Sequence, residues 1–207
     1  MRASSRITTA TIVACLALAG CGGHKNKTAK VHLNKDTPSA SKSPAAATDA
    51  FSGGPSFNYP SDVHIQISWH RTGDATKDKI LSDYAIALRA VLFAATNPQH
   101  PDGTWARYAT GRGITDYNAY LAKLNSKGVT VSGTQRYRGA IVTNVQGNNA
   151  SVTQCEDDTE LLDKNIKTGK TVPGSTSSAA TYTINASFLL ENGTWKVTGT
   201  NGVQGSC

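Results

Sequence analysis

The chain has 207 residues, with 21 Lys and Arg against 14 Asp and Glu, and a formal net charge of +7. Most of this excess lies near the N-terminus, because the part from Phe51 onward contains 14 basic and 12 acidic residues. Such a small surplus, without a stripe of Lys and Arg, cannot neutralise a phosphate backbone and argues against nucleic acid as a partner.

The N-terminus has the layout of a secretory signal peptide. Arg2 and Arg6 precede an apolar run at 12–18 that is well short of the roughly 20 residues a membrane span requires. The next residues resemble the bacterial lipobox, in which a diacylglycerol is attached to the cysteine and the leader is removed before it. This lipobox would consist of Leu18, Ala19, Gly20 and Cys21. We expect residues 1–20 to be a lipoprotein signal peptide, the alternative being ordinary secretion with a free thiol at Cys21.

Residues 21–60 are predicted to be a disordered tether. They are rich in Lys, Thr, Ser, Ala, Pro and Gly, and they contain too few large apolar side chains to offset the entropy of ordering. A lipid on Cys21 would then hold the domain at the extracellular face of the cell membrane. The tether lysines either add a weak attraction to anionic lipid or only keep the linker soluble, and the sequence leaves both open.

The cysteine count predicts one disulfide. Of the four cysteines, Cys15 would leave with the leader and Cys21 would carry the lipid. Cys155 and Cys207 remain as an even pair in an oxidising compartment, where such pairs form disulfides.

Residues 61–207 are predicted to be a single domain, because about 150 residues suit one hydrophobic core. Apolar residues alternate with polar ones at 63–69, which indicates a strand with one buried face. An amphipathic helix follows at 78–96, with Asp78 as its N-cap. A helical turn around Trp105 and Tyr108 comes next, and another helix begins at Thr115 or Asp116 and ends at Gly128.

The second half of the domain has the period of strands. We predict strands at 129–131, 137–146, 150–155, 181–190 and 194–200. A charged loop is predicted from 156 to 179, and Asn192-Gly193 is the dipeptide favoured in a two-residue hairpin turn. Helices followed by antiparallel strands predict an α+β domain with the helices packed on one face of the sheet.

This order of elements resembles the nuclear transport factor 2-like, or cystatin-like, roll. That resemblance implies N-terminal helices packed on a curved antiparallel sheet that forms a cone. More narrowly, the segments 128–133, 150–157, 168–170 and 193–197, with a terminal cysteine, resemble uncharacterised actinobacterial secreted lipoproteins. The resemblance covers about residues 62–207, and it implies a conical pocket without a defined chemistry, since the same fold hosts enzymes and binding modules.

The sequence contains no strong catalytic or metal-binding motif: no phosphate-binding glycine loop, no HExxH and no paired CxxC. We therefore assign no catalytic residue, no metal and no cofactor. The densest acidic cluster, at 156–163, could supply oxygen ligands to calcium, but its spacing is not that of an EF-hand loop. A solvated charged loop is the preferred interpretation.

Aromatic residues at helical spacing are the candidates for lining the pocket: Tyr84, Trp105, Tyr108, Tyr117 and Tyr120. The other positions that the pattern turns inward, such as Ile67, Leu88 and Phe188, are apolar. These features favour a non-catalytic module that binds a small apolar ligand or an envelope protein. The alternative is a small-molecule lyase or isomerase, which an inward Asp or His would favour. A homodimer formed through the sheet is left open.

Overall fold

The computed structural model describes residues 49–173, 181–205 and 207. The predicted signal peptide and the lipidation site at Cys21 lie outside the described residues. The elements, in order, are β1 Val63–Ser68, α1 Ala75–Ala95, a 3-10 helix Gly103–Tyr108, α2 Arg112–Lys127, β2 Val129–Gln146, β3 Asn149–Asn165, β4 Thr181–Glu191 and β5 Thr194–Gln204. Within the described part of the chain, neither helix is long and apolar enough to cross a membrane.

The five strands form one sheet in the order β1-β2-β3-β4-β5. The strands β2 to β5 make an antiparallel meander, and the helices pack against the sheet, which confirms the predicted α+β fold. The edge strand β1 differs from the expected antiparallel arrangement, because it runs parallel to β2. A parallel pair needs a long crossover connection, and the helices between β1 and β2 supply it.

The strand β2 is continuous over 18 residues, although the sequence predicted two short strands there. Gly133 and Gly139 have φ angles of 88° and 61°, and the register with β3 shifts near both. Bulges of this kind bend a strand without ending it. The loss of alternation in the sequence therefore marks the places where the sheet curves.

The strand β3 extends to Asn165, so the predicted charged loop from 156 is wrong over its first ten residues. Cross-strand ion pairs accommodate some of the charges, since Arg136 contacts Glu160 at 2.6 Å and Arg138 contacts Asp157 at 2.9 Å. Pairs of opposite charge on adjacent strands stabilise a sheet. The remaining acidic residues face the interior.

The helix α1 begins one turn earlier than predicted. Asp74 is its N-cap, and its Oδ1 accepts hydrogen bonds from the backbone N–H groups of Thr76 and Lys77 at 2.9 and 3.0 Å. Asp78, the predicted cap, instead accepts the backbone N–H of Thr72 at 2.7 Å. Both carboxylates lie near the N-terminus of the helix, where negative charge is favourable.

Aromatic rings join α1 to the sheet. The Tyr84 ring is 5.5 Å from the ring of Trp69, beyond the end of β1, and 4.9 Å from the ring of Phe188 on β4. The Gln154 side chain on β3 donates a hydrogen bond to the Tyr84 hydroxyl at 3.0 Å. Buried aromatic pairs of this kind add to the free energy of burial, so α1 is anchored to three parts of the sheet.

Residues 49–60, which the sequence analysis assigned to the tether, pack on the domain. Phe51 is 2% exposed and lies against Trp69, with 6.4 Å between ring centroids. Arg89 on α1 donates to the Phe51 carbonyl at 2.9 Å and pairs with Asp49. The Tyr59 hydroxyl donates to the backbone carbonyl of Arg89 at 2.7 Å. Composition missed this boundary because a few aromatic side chains are enough to bind a Gly- and Ser-rich segment to a core.

Cys155 on β3 and Cys207 form a disulfide, with their Cα atoms 5.7 Å apart. The bond attaches the end of the chain to β3, the middle strand of the sheet. For a sequence separation of 52 residues, the chain-entropy estimate of its stabilisation is about 4 kcal/mol.

The contacts of Phe51 predict that Phe51→Ala destabilises the domain by about 3 kcal/mol, the scale for deleting a buried aromatic side chain. In thermal unfolding followed by circular dichroism, this is a decrease of roughly 6 °C or more in melting temperature. Ser56→Ala, an exposed position in the same segment, is the control and should melt with the wild type. Equal melting temperatures for both variants would contradict a structural role for this segment.

Candidate functional site

A cavity of about 270 Å³ lies between α1, α2 and the sheet. Its lining combines apolar side chains with tyrosines, carboxyl groups and one amide. The lining residues are Tyr84, Leu88, Val91 and Leu92 of α1, Asp116, Tyr117 and Tyr120 of α2, Gln135 and Tyr137 of β2, Glu156 and Asp158 of β3, Ile184 of β4 and Thr200 of β5.

The structure brings three of the five predicted aromatic residues into this cavity: Tyr84, Tyr117 and Tyr120. Trp105 lies behind them, with its ring edge-on to Tyr117 at 5.9 Å, and therefore positions that tyrosine without lining the cavity. Tyr108 is not a lining residue. Burial, together with the nearby charge of Asp83, raises the pKa of its hydroxyl.

The sequence analysis missed Tyr137, which also lines the cavity and is 3% exposed. It lies on β2 between the two bulges, where the alternation of buried and exposed residues is interrupted. Only its position opposite Glu156 in the β2–β3 register identifies it as a neighbour of the acidic residues.

Two carboxyl groups of β3, those of Glu156 and Asp158, lie side by side in the cavity. Their spacing of two residues puts them on the same face of the strand as the buried Gln154. The Gln135 side chain, 7% exposed, donates hydrogen bonds to Glu156 Oε1 at 3.1 Å and to Asp158 Oδ1 at 3.0 Å. One amide therefore holds both carboxyl groups in place.

Burial raises the pKa of Glu156 well above its usual value, and the negative charge of Asp158 raises it further. Burial also raises the pKa of Asp158, while hydrogen bonds from Gln135 and Glu156 oppose that increase. The two carboxyl groups also form a hydrogen bond with each other, which requires a proton on one of them. Two like charges in contact are costly away from bulk water, so one proton stays on the pair after the first carboxyl group ionises.

Four tyrosines surround the pair, and burial raises the pKa of every one of their hydroxyls. The negative charges of Glu156 and Asp158 act in the same direction on Tyr120 and Tyr137. These hydroxyls remain protonated and can donate hydrogen bonds. The Tyr117 hydroxyl is buried and has no hydrogen-bond partner among the described residues.

The expected apolar lining is therefore wrong on the β3 side of the cavity. The charged sequence Glu-Asp-Asp suggested a solvated loop, yet two of its three carboxyl groups face inward and only Asp157 faces Arg138. The available signal was the alternation at 150, 152 and 154, which continues in step through 156 and 158. Chemically, the site can bind a ligand through hydrogen bonds and charge, or hold and transfer a proton.

Metal binding has no comparable support in the described residues, where no group of three His, Cys, Asp or Glu side chains is arranged to hold an ion. His64 and His70, the histidines near β1, are both exposed.

No protein-family model and no curated protein matches this sequence. Among solved structures, the intermembrane-space region of the chloroplast protein ARC6 is similar, with 16% identity, a TM-score of 0.43, and coverage of 65% of this chain and 99% of that one. A cystatin-like protein of unknown function from Nostoc punctiforme has 10% identity, a TM-score of 0.38 and coverage of 64% and 94%. The beta subunit of an aromatic-ring-hydroxylating dioxygenase from Novosphingobium aromaticivorans, itself a tentative assignment, has 12% identity, a TM-score of 0.42 and coverage of 64% and 92%.

The buried carboxyl pair predicts an unusual dependence of stability on pH. Because the folded-state pKa of Glu156 is raised, the folded protein holds a proton that the unfolded chain releases above about pH 4.3. The stabilisation that this proton supplies should therefore be complete below that pH. It should decrease above that pH, by up to about 1.4 kcal/mol per pH unit, until Glu156 ionises in the folded state. Glu156→Gln, which mimics the protonated acid, should match the wild type near pH 4 and be more stable at pH 8.

Urea unfolding at pH 4, 6 and 8 measures this difference. Glu160→Gln is the control, since its side chain lies on the same strand but is 58% exposed. It should keep the pH dependence of the wild type. A Glu156→Gln variant with an unchanged pH dependence would show that Glu156 is ionised in the folded protein at neutral pH.

Proposed function

We propose that this chain is a lipid-anchored protein of the extracellular face of the cell membrane, whose pocket binds a small molecule without converting it. The signal peptide, the lipobox and Cys21 support the anchor. The observation that carries the binding function is the cavity itself, where Gln135 holds two carboxyl groups among four tyrosines.

The mixture of apolar and polar lining residues suits a ligand with an apolar part and a polar end. Leu88, Leu92 and Ile184 supply apolar area, whose burial contributes most of the affinity in sites of this kind. The tyrosine hydroxyls and the carboxyl pair supply a few fixed polar groups, which orient the ligand. A volume of about 270 Å³ restricts the ligand to a small molecule.

A small-molecule lyase or isomerase is the second candidate. The inward carboxyl pair is the observation that favours it, since an acid on the inner face was the feature expected of an enzyme. The hydrogen bond between the carboxyl groups keeps one proton on the pair, so that one group is protonated and the other is ionised. Two carboxyl groups in different protonation states can serve as general acid and general base.

A screen of small metabolites against the purified protein tests these two functions. We expect a ligand that raises the melting temperature and is recovered unchanged by mass spectrometry. Tyr117→Phe should weaken the binding of that ligand by about 0.5 to 1.5 kcal/mol, the value of one hydrogen bond, because the Tyr117 hydroxyl has no partner among the residues that the structure describes. If the wild type instead converts a metabolite, and the rate decreases roughly a hundredfold in Glu156→Gln or Asp158→Asn, the protein is an enzyme and the binding function is rejected.

The lipid anchor predicts a mature chain that begins at Cys21 and carries a diacylglyceryl group, which intact mass spectrometry of membrane-extracted protein detects. Cys21→Ser should release the protein or leave the precursor uncleaved. Cys15→Ala, inside the predicted leader, is the matched control and should be processed normally. A mature chain that begins at another residue, with Cys21 unmodified, would contradict the anchor.

A further inference from the structure

The charge of the cavity lining selects one class of ligand. Three carboxyl groups line the cavity, and no Lys, Arg or His of the described residues does. Asp116 is 3.3 Å from the exposed Arg112, measured from Nε to Oδ2, but this Oδ2 is buried and accepts no hydrogen bond among the described residues. The lining is therefore negative, with Glu156 and Asp158 as its adjacent pair. A phosphate or carboxylate would meet repulsion in this site and find no cation to pair with.

The aromatic walls point to the same class. Tyr84 on α1, Tyr117 and Tyr120 on α2, and Tyr137 on β2 line the cavity around the carboxyl pair. The faces of aromatic rings attract cations, and cages of aromatic rings bind quaternary ammonium groups in this way. A carboxylate among several tyrosines therefore combines a full negative charge with an environment that accepts the alkyl groups of an amine.

We propose that the pocket binds a small organic cation, an alkylated or quaternary ammonium compound, with the cationic group against Glu156 and Asp158 and the tyrosines around it. This inference rests on the proposed function, namely that the pocket binds a ligand. The Tyr117 hydroxyl, which has no partner within the described ranges, is available for a hydroxyl or ether oxygen on the same ligand. The apolar lining residues Leu88, Leu92 and Ile184 would contact the hydrocarbon part.

The proton on the carboxyl pair makes the binding of a cation dependent on pH. A cation beside the pair favours its fully ionised form, so the ligand and the proton compete for the same site. Binding should release a proton, and the affinity should increase with pH. The titratable groups that line the cavity with the pair or act on it are Tyr84, Asp116, Tyr117, Tyr120, Tyr137 and Asp157, and Asp163 acts on Tyr120. The tyrosines keep their protons throughout, because their pKa values are raised.

Isothermal titration calorimetry with choline and with its neutral isostere 3,3-dimethyl-1-butanol tests the proposal. The full chain is used in a maltoside detergent, which contains no choline group. We expect choline to bind at least about tenfold more tightly than the neutral alcohol, a difference of 1.4 kcal/mol. Titrations in phosphate and in Tris, which differ in ionisation enthalpy, should show the release of a proton.

Asp158→Asn and Glu156→Gln should each reduce the preference for choline over the neutral alcohol, because each variant keeps only one carboxyl group of the pair. Asp157→Asn is the matched control: it deletes the same charge on the same strand, but its side chain pairs with Arg138 outside the cavity. This variant should bind choline within about twofold of the wild type, because Arg138 pairs with the Asp157 side chain and neither group lines the cavity. Thermal melts of all three variants confirm that they are folded.

The wild-type comparison alone can overturn the proposal. If the two probes bind equally, the ligand is not a cation, although the pocket still binds small molecules. If choline does not bind, or if Asp157→Asn weakens it as much as Asp158→Asn, the cation site is rejected. The metabolite screen then decides separately whether the pocket binds any ligand.

Discussion

The contact between α1 and the inner face of the sheet determines the rest of this structure. Tyr84 is at its centre, with Trp69 on one side, Phe188 on the other and Gln154 bonded to its hydroxyl. That hydrogen bond sets the orientation of β3, because Gln154 shares its face with Glu156 and Asp158. The packing that forms the core therefore also places the carboxyl groups of the pocket. A substitution in this part of the core would shift those carboxyl groups.

The sequence predicted the elements with simple periodicity. The helix α1 follows from the spacing of Leu81, Tyr84 and Leu88, and the last hairpin follows from Asn192-Gly193, both of which have positive φ. Periodicity did not predict the correct bounds of elements where long-range contacts determine the structure. The bulges of β2 interrupt its alternation, and the ion pairs across β2 and β3 hold charged residues in a strand. The contact of Phe51 with Trp69 depends on a fold that no local pattern contains.

The pocket was predicted in part, and for an instructive reason. Tyr84, Tyr117 and Tyr120 were found because helical spacing marks the buried face of a helix. Glu156 and Asp158 were missed because acidic residues are usually exposed, and that tendency outweighed their position on the inner face. Burying two carboxyl groups in contact costs free energy that an apolar pair would not. Proteins keep such destabilising arrangements mainly where the side chains serve a function. Acidic residues that are buried against their usual tendency are therefore the strongest candidates for a functional role.

The disulfide between Cys155 and Cys207 also affects how the protein responds to cleavage. It encloses β4, β5 and the connection between β3 and β4 within a covalent ring. A protease that cuts one peptide bond anywhere in this ring opens the chain but separates no fragment, because the sulfur bridge still joins the two pieces. The strands that carry Ile184 and Thr200 would stay attached to the pocket after such a cut. A single cleavage in this ring would therefore be a local nick and would not remove strands from the sheet.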